Sequence, residues 1–350
     1  MRFASDNAGP VHPKVMEALA QANDGWALPY GNDDVTRHAA DKVREVFEAP
    51  DAAVYFVATG SAANAILLGT MTAPFQTVFC TAEAHIHEDE CNAPEFYTGG
   101  AKLTLVASDD ARMSADVLET AITALEGGNV HGPQPGPISL TQVTERGTVY
   151  TLDQLGALAQ VAKAHGMPVH LDGARFASAL IALDTTPAEM TWRLGIDAVS
   201  FGGTKNGLMG VEAAVIFDPE KAWEFELRRK RGGHLFSKNR YLAAQMDAYL
   251  TDDLWLDMAR SANAAAAKLA AGLRDCPDVR LLHPPEANML FIKAPRRLHR
   301  ALHEAGAVYY LNGSIEGSEE ERLSARLVAD WSCPDSQVDS FVALCRASAP

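Results

Sequence analysis

Between residues 52 and 217 short apolar runs alternate regularly with helix-forming stretches, and this pattern most constrains what the chain can fold into. Parallel strands must be joined by crossovers of a dozen or more residues, so the alternation predicts an α/β layer, a mostly parallel sheet covered by helices. Seven runs read as strands: 52–58 (AAVYFVA), 77–80, 102–107 (KLTLVA), 137–142, 168–173 (PVHLDG), 197–201 and 212–217 (EAAVIF). Several are apolar almost throughout, as strands covered on both faces should be. Thr151 and Gln154 make a capping-box pattern that opens a helix carrying Leu155, Leu158, Ala159 and Ala162.

After a basic stretch at 228–231 (RRKR), residues 240–275 read as one long, Ala-rich connecting helix. Strands at 279–282, 288–293, 307–311 and 323–329, with helices near 296–305 and 335–347, then predict a small α+β unit. The 350 residues divide accordingly into a large domain, 1–238, and a connecting helix with a small C-terminal domain, 239–350. Segment 1–20 is a candidate to pack with the small domain. Forty-five acidic side chains against thirty basic ones give a net charge of -15, the wrong sign for neutralising nucleic-acid phosphates or an anionic membrane. Five cysteines without a C-x-x-C pair argue against a disulfide framework or zinc ribbon. No run of about 18 apolar residues and no signal-peptide core occurs, so the expectation is a soluble cytoplasmic protein.

Neither usual nucleotide-binding glycine fingerprint is present, and three other elements carry the chemistry. Thr59-Gly60-Ser61-Ala62-Ala63-Asn64 follows the first strand and opens a helix of small residues. Unpaired N–H groups there can receive an anion, or the motif is an ordinary turn with Ser61 as helix cap. Asp172 and Arg175, in HLDGAR, end an apolar strand, where open α/β sheets place their ligands. They could face a protonated ring nitrogen and an anionic oxygen, or form a surface pair. Lys205, in SFGGTKNG, ends another strand 33 residues after Asp172, room for one crossover helix. A lysine held there with a lowered pKa can form a Schiff base with an aldehyde.

Together with SDNAG at 5–9, PYGNDD at 29–34, EAHIHEDE at 83–90 and ARLVADW at 325–331, these motifs resemble the fold-type I pyridoxal-phosphate enzymes. The resemblance is to the L-threonine aldolase group of the β-eliminating lyases and spans nearly the whole chain. It implies a seven-stranded, mostly parallel large domain and pyridoxal 5'-phosphate held as a covalent aldimine on Lys205. Asp172 would pair with the cofactor's ring nitrogen, His85 would stack on the ring, and Gly60 and Ser61 would cradle its phosphate. Arg175 would lie near the phenolic oxygen or the substrate carboxylate, which Ser5 and Arg326 would bind. Tyr30, and a basic residue of Lys230–Arg231 toward the phosphate, are offered from a neighbouring subunit, in a homodimer or homotetramer with sites at the dimer interface.

The implied reaction is retro-aldol cleavage of L-threonine, L-allo-threonine or phenylserine into glycine and an aldehyde. His85 and His131 are the candidates for acid–base work, because imidazole titrates near neutrality. Two segments depart from the family pattern: TGSAAN replaces a Ser-Gly-Thr form, and FGGTKNG replaces Ser-Lys-Gly-Leu-Gly. The same cofactor would also serve β-elimination or transamination of another amino acid. A rival reading is a metal-dependent hydrolase, in which the His85/His87 cluster with Glu88, Asp89, Glu90 and Cys91, and His170 with Asp172, supply ligands.

Overall fold

The computed structural model describes residues 1–125 and 128–347, and each of the seven predicted runs forms a strand. These are β1 (Ala53–Val57), β2 (Gln76–Thr81), β3 (Lys102–Val106), β4 (Gln134–Thr141), β5 (Val169–Gly173), β6 (Ala198–Gly202) and β7 (Glu212–Ile216). They assemble in the order β1-β7-β6-β5-β4-β2-β3; the pairings from β6 to β3 are parallel, while β7 runs antiparallel to both β6 and β1. Strands β5, β6 and β7 are buried at every position, which explains why they are mostly apolar, with His170, Asp172, Ser200 and Glu212 the buried polar exceptions.

Helices α1 (Pro13–Ala22) and α2 (Asp34–Val46) precede the sheet, and α3 (Gly60–Met71) follows β1. Between the strands lie α4 (His85–Glu88), α5 (Ala93–Thr98), α6 (Ala115–Thr123), α7 (Leu152–Ala164), α8 (Phe176–Leu183) and α9 (Pro187–Met190). Thr151 and Gln154 make the predicted capping box of α7. The close approach of α3 to its neighbours depends on its small residues: a Cβ on Gly69 would sit 2.9 Å from the Tyr97 carbonyl oxygen.

Beyond α10 (Ala222–Arg231), the predicted single helix is two, α11 (Arg240–Leu250) and α12 (Leu254–Arg274). Asp252 and Asp253 between them take left-handed φ values of 53° and 55°, a conformation for which Asp is among the tolerant residues. The second sheet has the order β10-β11-β9-β8, from β8 (Arg280–Leu281), β9 (Met289–Pro295), β10 (Tyr310–Asn312) and β11 (Arg322–Val328). The helices α13 (Arg296–Glu304) and α14 (Asp335–Ala347) cover it. Strand β10 lies later than the predicted 307–311 because Val308 bridges Arg2 of the N-terminal segment instead.

Two large hydrophobic cores result, with two minor clusters around α3 and β2. The larger contains Phe47, Phe176, Phe201 and, from α11 and the first half of α12, Met246, Tyr249, Trp255 and Met258. The smaller contains Phe3, Leu269, Leu273, Ile292, Leu327 and Phe341. The chain therefore changes core inside α12, between Ala259 and Ala265, rather than at the expected division before residue 239. Phe3 does join the small sheet's core, its N–H donating to the Val308 carbonyl and its carbonyl accepting from Val328, both at 2.8 Å.

Candidate active site

The parallel strands deliver their carboxyl ends to one edge of the large sheet, and most of the predicted site residues gather there. Asp172 ends β5 in register with Ser200 of β6, and β6 runs straight into the 3-10 turn Thr204–Asn206 that carries Lys205. Glycines permit this tight exit: a Cβ on Gly202 would lie 2.6 Å from the Ala174 carbonyl oxygen. Gly207 has φ +91°, and a Cβ there would stand 2.6 Å from Met258 Sδ and 3.1 Å from Trp331 Nε1. We expect Gly207→Ala to destabilise the fold by about 1–3 kcal/mol through combined backbone strain and overpacking. A lowered urea midpoint at unchanged slope would show it.

Lys205 is half-buried, and among the described residues its amine has no hydrogen bond or ion pair. Burial lowers its pKa, and the Arg175 guanidinium adds to this, while Asp6, Asp172 and Glu212 pull the other way. Glu212, buried behind the lysine turn, accepts from the Gly203 N–H at 2.8 Å, and burial pushes its carboxyl up to about 7.

Asp172 is fixed from two sides. Its Oδ1 accepts from the Ala174 N–H at 2.9 Å and its Oδ2 from Asn64 Nδ2 at 2.7 Å. The same Asn64 nitrogen donates to Glu90 Oε1 at 2.9 Å, and Glu90 Oε1 also lies 2.9 Å from His85 Nδ1. His85 opens α4, its backbone N–H donating at 2.8 Å to Glu145 Oε1, which also accepts from Thr141 Oγ1 at 2.8 Å. Burial pushes Glu145 up to about 7. The His85 pKa is raised chiefly by its bond to Glu90, against the opposing effect of burial.

Gly60 and Ser61 form the first turn of α3 at the same edge. The cap is Thr59 rather than Ser61: Thr59 Oγ1 accepts from the Ala62 N–H at 3.2 Å. The N–H groups of Gly60 and Ser61 thus precede any intrahelical acceptor, and a Cβ on Gly60 would meet no atom within 4 Å, so the space before the helix is open. An anion fits such a cradle.

Arg175 is held by Asp6, its Nε at 2.6 Å from Oδ2 and its Nη2 at 3.0 Å from Oδ1. Asn288 of the small sheet also donates to Asp6, at 3.1 Å. Ser5, which precedes this buried acid, caps the 3-10 turn Asp6–Ala8 by accepting from the Asn7 N–H at 3.1 Å. Arg326 of β11 stacks 4.8 Å from the Tyr310 ring centroid. Its buried Nε has no hydrogen-bond partner, and burial and Arg175 both lower its pKa. The Asp6 carboxylate that holds Arg175 acts the other way on Arg326, favouring its charged form.

The remaining predicted residues lie elsewhere in the chain. Tyr30 has a left-handed φ of 63° and sits with its ring 5.3 Å from the Lys230 ammonium. It is exposed, as is Arg231 at the end of α10, and neither makes a hydrogen bond or ion pair with the Lys205 group of its own chain. His131 precedes β4, whose eight residues span roughly 25 Å before their carboxyl end reaches the Asp172 edge, so it lies away from the Lys205 group of its own chain.

The His85/His87 pair of the rival metal reading does not converge on one point. His85 and His87 occupy one helical turn, where residues two apart point about 200° from each other. His170 is buried, its two nitrogens 3.0 Å from Ser139 Oγ and 3.2 Å from Ser200 Oγ, and burial lowers its pKa to about 4. The donors of His85, Glu90 and Asp172 lie within 4.8 Å of one another, and the Asn64 amide links two of them by donating to Glu90 and Asp172.

Asp6, Asn64, Glu145, Glu212 and Asn288 were given no role from the sequence, and Glu90 only that of a metal ligand in the rival reading. Asn64 closes the TGSAAN motif and Glu90 the HIHEDE run, yet their pairing across 26 residues leaves no local pattern. The lone amine beside a fixed carboxylate, the open helix N-terminus and the unpaired Arg326 suit pyridoxal phosphate carrying an amino acid.

Comparison with known proteins supports the same reading. A family model described as beta-eliminating lyase matches residues 2–295. The chain is 38% identical to a low specificity L-threonine aldolase of Pseudomonas sp., over 99% of this chain and 97% of that one. It is 40% identical to the low specificity L-threonine aldolase of Pseudomonas aeruginosa over 88% of both chains. Among solved structures, the threonine aldolase of Leishmania major superposes with a TM-score of 0.92 at 29% identity, over 99% of this chain and 98% of that one. Serine palmitoyltransferase from Sphingomonas wittichii shares the fold, with a TM-score of 0.70 at 16% identity, covering 99% of this chain and 86% of that one.

Proposed function

The chain belongs to the beta-eliminating lyase family, and from that premise we propose that it is a pyridoxal-phosphate-dependent, low-specificity L-threonine aldolase. It cleaves L-threonine and related L-β-hydroxy-α-amino acids, L-allo-threonine and phenylserine among them, into glycine and an aldehyde. The observation that carries the reading is a buried lysine amine without a partner, beside an aspartate anchored at the end of the neighbouring strand. When bound, the cofactor supplies an electron sink for the pair released from the Cα–Cβ bond.

The chain's own groups do the rest. Lys205 holds the cofactor covalently, its lowered pKa leaving more of the amine in the nucleophilic form. Asp172, kept in place by Asn64 and Ala174, faces the cofactor's ring nitrogen as its counter-charge. The N–H groups of Gly60 and Ser61 hold the phosphate, and His85 covers the ring. Arg326 and Ser5 take the substrate carboxylate. Arg175 has two of its nitrogens committed to Asp6, so its remaining edge faces the cofactor and substrate.

Arg326→Ala removes the unpaired fork. A charge-assisted hydrogen bond contributes about 1.5–3 kcal/mol, so kcat/KM should fall about 10- to 100-fold. Most of the change is expected in KM, with the bound cofactor's spectrum unaltered.

Tyr30 and Arg231 serve the site of a second copy. Trp26 at 87% exposure, Leu28 at 54% and Phe236 at 45% join Tyr30 in leaving apolar surface uncovered on that side, which supports a homodimer or homotetramer. Ser237, next to Phe236, accepts from the Tyr30 N–H, linking the two segments. None of the helices among the described residues is long and apolar enough to cross a membrane. The five cysteines are free, three of them buried, and a reducing cytoplasmic setting suits them.

Borohydride reduction followed by peptide mapping tests the reading. The cofactor's mass should appear on the peptide containing Lys205, and an unmodified Lys205 peptide from a visibly coloured protein would contradict it.

A further inference from the structure

We propose that Glu90 is a positioning residue that commits Nδ1 of His85 to carrying its proton, leaving Nε2 as the base that accepts the substrate's β-hydroxyl proton. This rests on the aldolase reading above, in which His85 covers the cofactor ring beside Cβ of the substrate.

The geometry specifies the tautomer. Glu90 Oε1 is an acceptor: it already takes a hydrogen bond from Asn64 Nδ2 at 2.9 Å, and it lies 2.9 Å from His85 Nδ1. Only a proton on Nδ1 satisfies that contact, so in the neutral ring Nε2 carries the lone pair. Among the described residues, Nε2 has no partner of its own. The Glu90 side chain is wholly buried, whereas that of His85 is 34% exposed and open to a ligand. The chain also turns sharply to aim Glu90 inward, for Cys91 and Asn92 follow it with φ values of 50° and 60°. Left-handed backbone is uncommon outside glycine, and of the two only Asn92 is a residue that adopts it readily.

Carboxylate, imidazole and hydroxyl then stand in the order used wherever an acid orients a histidine base. In the cleavage step the O–H bond breaks and its proton goes to Nε2. The O–H electron pair becomes the second C–O bond of the aldehyde, and the Cα–Cβ pair passes to the electron sink. The imidazolium formed is stabilised by Glu90. The other groups facing His85 are Asp172 from β5, which also favours its charged form, and Lys205 from the turn after β6, which opposes it. Glu145, after β4, holds the backbone N–H of His85.

Glu90→Gln tests the assignment. With the charge gone, neutral His85 persists to lower pH, so the acid limb of kcat/KM for L-threonine moves downward. The plateau falls about 10- to 100-fold, because the base is weaker and no longer held. The His85 imidazole, followed by NMR and assigned through His85→Asn, titrates at lower pH than in the wild type. Cofactor absorbance stays as in the wild type. Glu90→Asp, which keeps the charge but shortens the arm, should restore part of the rate and move the limb less far. It serves as the test by itself if the glutamine variant does not fold. An unchanged acid limb and an unchanged His85 titration in either folded variant would overturn the proposal. Failure of the aldolase reading is a different result: a wild-type protein that releases no aldehyde, whatever the titration of His85.

Discussion

Lys205→Ala should abolish the visible absorption of the purified protein and lower aldehyde release by at least about 10⁴-fold. The size follows from the absence of any substitute. Among the described groups around the site, the cations other than Lys205 are Arg175 and Arg326, and a guanidinium cannot act as a nucleophilic amine near neutral pH. Losing the residue that forms the covalent link typically costs several orders of magnitude, about 6–8 kcal/mol in activation free energy. The fold should survive, since Lys205 makes no hydrogen bond or ion pair whose loss would destabilise it. Urea unfolding should therefore be close to that of the wild type. Retained colour with retained aldehyde release would place the chemistry on another residue.

Asp172→Asn is expected to have the second largest effect. The substitution keeps the side chain's size but removes the charge that faces the cofactor's ring nitrogen. It also puts an amide where Oδ2 now accepts from Asn64 and Oδ1 from Ala174. Removing one partner of a buried, hydrogen-bonded charge pair costs about 2–5 kcal/mol, which is roughly 30- to 5000-fold in rate. Unlike the lysine variant, this one should still bind the cofactor and remain coloured, because Lys205 and the α3 N-terminus are intact. Weak activity in a coloured protein separates the two roles. Equal loss of colour in both variants would mean that Asp172 builds the pocket rather than tuning the cofactor.

The large sheet was legible in the sequence because strands buried on both faces are mostly apolar, as β5, β6 and β7 are outside His170, Asp172, Ser200 and Glu212. The Lys205, Asp172 and Gly60–Ser61 motifs were legible because each sits at a strand's end, where a parallel sheet presents its ligands. The break between α11 and α12 was hidden by an Ala-rich stretch of high helix propensity, although Asp252 and Asp253 are residues able to turn the chain left-handed. The partners of the site residues were hidden for another reason. Asp6 meets Arg175 across 169 residues and Asn64 meets Asp172 across 108, and no local periodicity encodes such pairs. His131 lies before the amino end of β4, away from Lys205 of its own chain, a placement that a glycine-rich loop does not reveal until the direction of β4 is known.

These contacts give Asp6, Asn64 and Glu90 a shared purpose. Each buries an acceptor or donor that orients a charged residue expected to face the cofactor or substrate, and each is itself held from a second side. Asp6 in particular ties Arg175 to Asn288 at the start of the small sheet, so both cores bear on the same guanidinium.

The most direct measurement is the product balance from L-threonine. The purified holoenzyme should release glycine and acetaldehyde in equal amounts, with no keto acid and no ammonia. Formation of 2-oxobutyrate with ammonia in place of glycine would contradict the account, because it would mean that the β-hydroxyl leaves and the Cα–Cβ bond survives.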